Sequence, residues 1–372
     1  MGYDVTVVGA GAPFERVTDI KTDFNYIKNA FNFSIFERKF LMEKSNGLSI
    51  GFIGMLSYKK IWNIVKDYDL YYFQEPNFLF SGFMKYYNKY KKNYKVILGN
   101  HGTFFEILKS KNNYFYNIII KILAKIIFKH ANKNIIIQAQ NDYQFDYYTK
   151  MGFKNINIIP QNDIDFKKYH ITETSDFNVV FLNKLTNNKG IKLLLDILKN
   201  NANDNIKFNI IGSGDIEKYS NDINKKNVKF FGYMNEDDKI DILSKCDIMI
   251  NCSLYESLSI SSIEGLASGL LLIAPEITGI IYIKNVMKDF VYTINYDYTP
   301  FIDKINELYK FKKNNYNEFI NNRKLIKNNA EKIFDKDIII NSIKNMINNN
   351  DEFINNRKLI KNNAEKIFTK TR

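Results

Sequence analysis

The sequence predicts an α/β protein made of two Rossmann-like, doubly wound domains, and three observations predict it. Short runs rich in Val, Ile and Phe alternate with helical stretches along most of the 372 residues. Such alternation marks parallel strands covered on both faces by crossover helices. The strand–helix scheme starts afresh after residues 163–176, which makes two such units. The length is generous for one core, and a hydrophobic content of 45% is ample for two.

In the first half the strands are "YDVTVV" (3–8), "YDLYYFQEP" (68–76), "YKVILGNHG" (94–102), "NKNIIIQAQ" (132–140) and "NINIIPQ" (155–161). Helical patterns at 59–67 and 114–130 lie between them. In the second half "FNVVFLNKL" (177–185) is a strand. "KGIKLLLDILKN" (189–200) is a helix with Ile and Leu at helical spacing. "IKFNIIGSGD" (206–215) and "VKFFGYM" (228–234) are strands. "EDDKIDILSKC" (236–246) is a helix whose acidic first turn suits the dipole. "CDIMINCS" (246–253), "SISSIEGLASG" (259–269) and "LLLIAPE" (270–276) read as strand, helix and strand. The expected domains are 1–165 and 166–347, with an extra helical tail at 348–372.

Charged residues make up 25% of the chain, so it is not a disordered polymer. Two cysteines, Cys246 and Cys252, give neither a disulfide framework nor metal-ligand spacing, which suits a reducing, cytoplasmic compartment. No apolar run approaches the roughly 18 residues of a membrane helix, and the N-terminus lacks the basic region of a secretion signal. Residues 1–6 loosely match a myristoylation pattern, but they read better as the start of a buried strand. The net charge of +13 is uneven. Residues 1–170 hold 24 Lys+Arg against 14 Asp+Glu, and residues 171–372 hold 29 against 26. The basic half therefore either faces something anionic or is a solvated lysine-rich surface.

Two motifs mislead. Gly9-Ala10-Gly11 follows a strand, but a dinucleotide fingerprint needs a third glycine where Phe14 stands, and Pro13 disrupts the turn. Asp163 and Asp165 have the spacing of a metal-holding pair, yet they sit at the junction of the two units. There Asp and Asn serve turns.

The chemistry is concentrated in "CSLYESLSISSIEGLASGLLLIAPE" (252–276). Glu256 lies in the loop after a buried strand, and Glu264 lies about one turn inside the following helix. A helix N-terminus with free amides and small side chains binds anions. Carboxylates beside it accept hydrogen bonds from hydroxyl groups. Phosphate plus polyol describes a nucleotide sugar; a capped helix with two surface glutamates is the plainer alternative.

With these residues in view, the chain resembles a family-4 glycosyltransferase: GT-B fold, two Rossmann-like doubly wound domains facing a cleft. Glu256 and Glu264 match that family's E-x(7)-E motif. "VVFLNKLTNNKGIKLLLDIL" (179–198) resembles its strand, G-R-L and K-G-helix; Lys189 matches the lysine, Lys184 stands where arginine is usual, and Asn183 replaces a glycine. "FNIIGSGDIEKY", "VKFFGYM" and "LSKCDIMINCSLYES" follow in order. "IIPQNDIDFKKY" resembles the interdomain P-N-G-x-D-x-x-x-F connection with one residue inserted.

The resemblance implies a retaining hexosyltransferase using a UDP- or GDP-sugar donor, with no cofactor or metal. Lys184 and Lys189 would neutralise the diphosphate, Glu264 would accept the ribose hydroxyls, and Glu256 would hold a donor-sugar hydroxyl. The backbone of Ser257, Leu258 and Ser259 would face the phosphate or sugar. His101, one of three histidines with His130 and His170, matches a histidine lining the cleft. The acceptor would be a glycan or lipid-linked molecule in cell-surface polysaccharide or glycolipid synthesis.

Two departures stand out. "DVTVVGAGAP" resembles the family's second strand, so the first βα unit, with its phosphate loop, is expected to be missing. "EFINNRKLIKNNAEKIF" occurs at 318–334 and again at 352–368. That identity points to duplication rather than a structural repeat.

Lys121, Lys125 and Lys129 lie on one face of an otherwise apolar helix within 112–133. It reads either as a buried helix with one wet stripe or as a helix lying on an anionic membrane, and the aromatic-basic stretch 78–95 adds to the latter. Peripheral attachment at the inner face of the membrane follows from that reading. Other functions stay open: a truncated relative that binds nucleotide or a partner without catalysis, and a GT-B epimerase. Nucleic-acid binding has no motif to support it.

Overall fold

Strands of Val, Ile and Phe form wherever the sequence alternates them with amphipathic helices. The computed structural model describes residues 5–8, 24–27, 70–74, 76, 78–90, 95–100, 114–215, 219, 223 and 226–348. Contacts divide the chain into one unit of residues 1–100, 111–138 and 148–156 and another of 101–110, 139–147 and 157–372.

In the first half, β1 (Val5–Val8) pairs in parallel with β2 (Phe24–Ile27). A four-stranded sheet runs in the order β3 (Leu70–Phe73), β4 (Lys95–Leu98), β5 (Ile136–Ala139), β6 (Asn155–Ile158). The β3–β4 and β4–β5 pairs are parallel. Its helices are α1 (Phe78–Tyr90), α2 (Tyr114–Ile127) and α3 (Asp142–Lys150). Strand β2 has no counterpart in the sequence reading. The expected helix at 59–67 and the second copy of the repeat lie outside the described residues.

Residues 78–90 of the aromatic-basic stretch form α1, and its aromatic face packs inward. Phe80, Phe83, Met84 and Tyr87 are buried. Their rings meet Tyr71 and Phe73 edge-on or tilted. Helix α2 exposes an apolar stripe as well as its lysines. Ile118, Ile122 and Ile126 are 40%, 52% and 43% exposed, beside exposed Lys121 and Lys125. No helix among the described residues is long and apolar enough to cross a membrane.

The second half holds a six-stranded sheet. Its strands are β7 (Phe177–Leu182), β8 (Ile206–Ile211), β9 (Val228–Gly232), β10 (Ile248–Ile250), β11 (Leu271–Pro275) and β12 (Val291–Ile294). Their order is β12-β11-β10-β7-β8-β9, and every pairing is parallel. The chain winds outward from β7 through β8 to β9, then returns to β10 and winds the other way. The direction reverses between β7 and β10. Open parallel sheets place ligands at such a switch point, beyond the carboxyl ends of the strands.

The crossover helices are α4 (Ile191–Asn200), α5 (Glu236–Ser244), α6 (Ile260–Ala267) and α7 (Thr278–Met287). Then follow α8 (Tyr298–Asn314), α9 (Tyr316–Phe334) and α10 (Lys336–Asn348). Helix α9 carries the first copy of the repeat. Its Phe319, Ile320, Arg323, Ile326, Ala330 and Phe334 recur at helical spacing and are buried, and α6 packs on it.

Arg323 is a charged residue fully buried in this core. Its guanidinium donates to the carbonyls of Ser244, Ser268, Gly269 and Thr172 at 3.0–3.4 Å. Those carbonyls include the ends of α5 and α6, where backbone acceptors lack helical partners. Asp247 lies 3.7 Å from Arg323 and accepts from buried Lys312 at 2.7 Å. The cluster satisfies buried charges by pairing them.

Candidate functional site

The loops that leave β7 and β10 flank the switch point, and both carry residues picked out by the sequence. After β7 the chain forms a single 3-10 turn, Asn187–Lys189, and Gly190 then enters α4 at φ 78°. A Cβ on Gly190 would sit 1.7 Å from the Cys252 carbonyl oxygen. Only glycine lets this loop rest on the one after β10, and Leu254 N donates to Asn188 O at 3.0 Å across the same seam. Lys189 is thereby delivered to Glu256.

The Lys189 Nζ to Glu256 Oε1 distance is 2.5 Å, and the Ser253 hydroxyl donates to the same oxygen at 3.0 Å. Glu256 is buried at 9% exposure. Its backbone is held from the other side, because Gly279 N at the start of α7 donates to Glu256 O at 2.8 Å. A Cβ on Gly279 would lie 2.8 Å from the Ser257 carbonyl carbon. The approach again needs glycine.

Helix α6 opens at Ser259, whose side chain makes no capping bond to the first turn. Its hydroxyl instead accepts from Asn251 Nδ2 at 2.8 Å and from Ser262 Oγ at 2.9 Å. This buried network fixes the entry to the helix without using its amides. Ser257 and Ser259 are buried and Leu258 is half-buried. Glu264 stands on the second turn of α6. Its Oε1 accepts from Tyr169 Oη at 3.2 Å and from Lys239 Nζ. Burial and the Glu264 carboxylate push the Tyr169 hydroxyl far up, so it stays a donor.

Both glutamates of the eight-residue spacing are thus gripped in the same way. A lysine and a hydroxyl converge on Oε1, and among the described residues Oε2 has no partner. Each carboxylate keeps one oriented oxygen that can accept from a hydroxyl group.

Lys184 sits in the same loop as Lys189 but is exposed. Asn183 turns its amide towards Ser253 Oγ at 3.4 Å. His101 lies outside the described residues. Asp165 is occupied by turn chemistry. Its side chain caps the 3-10 turn Phe166–Lys168 and pairs with Lys336 at 2.7 Å, which holds its carboxyl below the usual range. Sequence reasoning missed Ser253, Tyr169 and Lys239. Ser253 stands three residues before Glu256, a visible signal; the other two had none.

Comparisons with known proteins agree with this architecture. Residues 162–332 match the family described as "Glycosyl transferases group 1". An uncharacterized glycosyltransferase of Methanocaldococcus jannaschii, MJ1607, is 29% identical over 111 residues; the match spans only 28% of this chain and 28% of that protein. Sucrose-phosphate synthase from Thermosynechococcus elongatus superposes with a TM-score of 0.67 at 14% identity, covering 93% of this chain and 88% of that one. The HepE protein of Anabaena, solved in complex with UDP, gives 0.63 at 16% identity, covering 78% and 81%. At these identities the superpositions show the fold, an α/β arrangement of two parallel-sheet domains matching GT-B structures. The family match spans the second sheet and its crossover helices, a little under half of the chain.

Proposed function

We propose that this protein is a retaining, family-4 type hexosyltransferase that moves a sugar from a nucleoside diphosphate to a glycan or lipid-linked acceptor. The observation that carries the reading is the meeting of Lys189, Glu256 and the uncapped first turn of α6 at the switch point. Phosphate suits that turn and the lysines; hydroxyl groups suit the two oriented carboxylates.

In this reading Lys189, with Lys184 on the same loop, neutralises the diphosphate and stabilises it as it leaves. Hydrogen bonds to charged groups contribute about 1.5–3 kcal/mol each. Lysine at 184 lacks the two-pronged fork of arginine, so it contributes charge rather than geometry. Glu264 accepts from the ribose hydroxyls and Glu256 from a hydroxyl of the donor sugar. The amides of Ser257, Leu258 and Ser259 face the phosphate or the sugar. His101 keeps the active-site role that the resemblance gives it. The base is uracil or guanine; the Anabaena neighbour holds UDP.

The bond from the anomeric carbon to the diphosphate oxygen breaks, and a bond to the acceptor oxygen forms on the same face. The acceptor proton passes to the departing phosphate oxygen. None of these steps calls on a protein nucleophile or a metal.

For the acceptor, the exposed Ile118, Ile122 and Ile126 beside Lys121 and Lys125 favour an anionic membrane surface, and with it a lipid-linked substrate of cell-surface glycan synthesis. Sedimentation with phosphatidylglycerol vesicles tests this. Binding lost on Ile122→Asp supports attachment through α2; equal binding to neutral phosphatidylcholine counts against it.

Calorimetry with UDP, GDP and ADP on the native chain and on Glu264→Ala tests the donor site. One nucleotide binding the native chain and losing affinity for the variant supports the site. Transfer of labelled sugar, with the anomer read by NMR, then tests retention. An inverted product, or binding without any transfer, overturns the catalytic part.

A further inference from the structure

Glu264 is held by two residues from distant parts of the chain. Tyr169 follows the 3-10 turn Phe166–Lys168 that leads into the second sheet, and it is buried in that core. Lys239 lies in the first turns of α5, which Asn235 anchors by accepting from Asp238 N. Their sequence separations from Glu264 are 95 and 25 residues. Both donors nonetheless reach the same oxygen.

Two donors on one oxygen stop a carboxylate from turning about its last bond. An Asp or Glu on a helix surface ordinarily samples a broad range of that torsion. Here the Lys239 and Glu264 side chains are only 20% and 13% exposed, so water does not compete freely for the grip. The oxygen left over, Oε2, is fixed in place. A vicinal diol binds best to an acceptor that need not be ordered first, because ordering a side chain subtracts from affinity.

We propose that Tyr169 and Lys239 are positioning residues that hold Glu264 so that Oε2 presents itself to the ribose 2′- and 3′-hydroxyls of the donor nucleotide. This deepens the donor-site reading above and rests on it. Neither residue touches the sugar or the phosphate. Their contribution is to donor affinity and passes through Glu264 alone.

The test is calorimetry of the nucleoside diphosphate that binds best, beside its 2′,3′-dideoxy form. It compares the native chain with Tyr169→Phe, Lys239→Met, Lys239→Arg and Glu264→Gln. Tyr169→Phe keeps the buried ring, and a native melt shows it folded. If Glu264 works through the diol, Tyr169→Phe and Lys239→Met each weaken the ribonucleotide about tenfold. They leave the dideoxy form within about twofold, and Lys239→Arg recovers most of the loss. In transfer, donor KM rises while kcat holds.

Equal weakening of both nucleotides overturns the proposal, since the residues would then support the fold or touch another part of the ligand. So does native affinity in Tyr169→Phe and Lys239→Met when Glu264→Gln weakens binding; the donor site then stands without its positioning pair. If no nucleotide binds the native chain, or Glu264→Gln changes nothing, the donor-site reading itself falls and takes the proposal with it.

Discussion

Replacing Gly190 by alanine separates the site from the fold that carries it. The new Cβ would lie 1.7 Å from the Cys252 oxygen, 2.4 Å from its carbonyl carbon and 2.7 Å from its Cβ. Two of these are backbone atoms and cannot rotate aside. To open the closest contact to even 3.0 Å, the loop must move by about 1.3 Å. The Lys189–Glu256 contact is 2.5 Å and the Leu254 N to Asn188 O bond is 3.0 Å, so a shift of that size breaks both. The left-handed backbone costs alanine about 1–2 kcal/mol, and each lost bond about 0.5–1.5 kcal/mol. The total is about 2–5 kcal/mol, against a net stability of roughly 5–15 kcal/mol. The second half should melt roughly 4–20 °C lower. Nucleotide affinity should fall about tenfold, as the lost Lys189–Glu256 geometry removes an interaction of about 1.5–3 kcal/mol. Gly152→Ala is the control. Gly152 has φ 84° and nothing within 4 Å of its added Cβ, so it carries the backbone penalty without the collision. Calorimetry and thermal melts of the two variants decide the matter. If Gly190→Ala melts like Gly152→Ala and binds nucleotide like the native chain, the close seam between the two loops is refuted.

Gly279→Ala should act on the same site from the other side. Its Cβ would meet the Ser257 carbonyl carbon at 2.8 Å and Glu256 O at 2.9 Å, so nucleotide binding should weaken at a modest cost in melting temperature. Arg323→Met removes the guanidinium that donates to four carbonyls and should cost about 3–5 kcal/mol in a urea titration. Because Ser268 and Gly269 end the helix that carries Glu264, donor binding should fall with it; a native urea midpoint would refute the anchoring role. Asp247→Ala leaves Lys312 and Arg323 buried without their anion and should cost a similar amount. His130 is held below its usual 6.5 by burial and by Lys129 and Lys85. The unfolded chain therefore takes up more protons as pH falls through that window, and stability should drop below about pH 6.5. Melts from about pH 7.5 to 5.5 should show a slope that His130→Gln flattens.

How much of this was legible depends on distance along the chain. Glu256, Glu264 and Ser259 share one strand–loop–helix segment, and Lys189 shares another with its glycine, so local pattern reveals them. Tyr169 and Lys239 carry no such mark. Tyrosine after a turn and lysine on an acidic helix occur everywhere, and only packing brings them to Glu264. In the first half, "FNYI" at 24–27 is too short and too mixed for a periodic signal, yet it pairs with β1. The aromatics of 78–90 were illegible for a different reason. Phe80, Phe83 and Tyr87 stand at spacings of three and four, which marks one helix face but not what that face meets. They meet the core.

The decisive arrangement is the order of strands, and no local pattern encodes it. β7 and β10 are neighbours although α4, β8, β9 and α5 separate them in sequence. Val179 pairs with Ile248 and Phe181 with Ile250, so both strands finish at the same level. Their following loops must then meet, and each has what a close meeting needs: Gly190 on one, the bare carbonyl of Cys252 on the other. Had β10 joined the far side of β9, Lys189 and Glu256 would lie several strands apart, at about 4.8 Å per strand. The lysine loop and the glutamate helix would then be ordinary surface features. A basic residue and an acidic one become a candidate phosphate-and-sugar site because the winding reverses between the two strands that bear them.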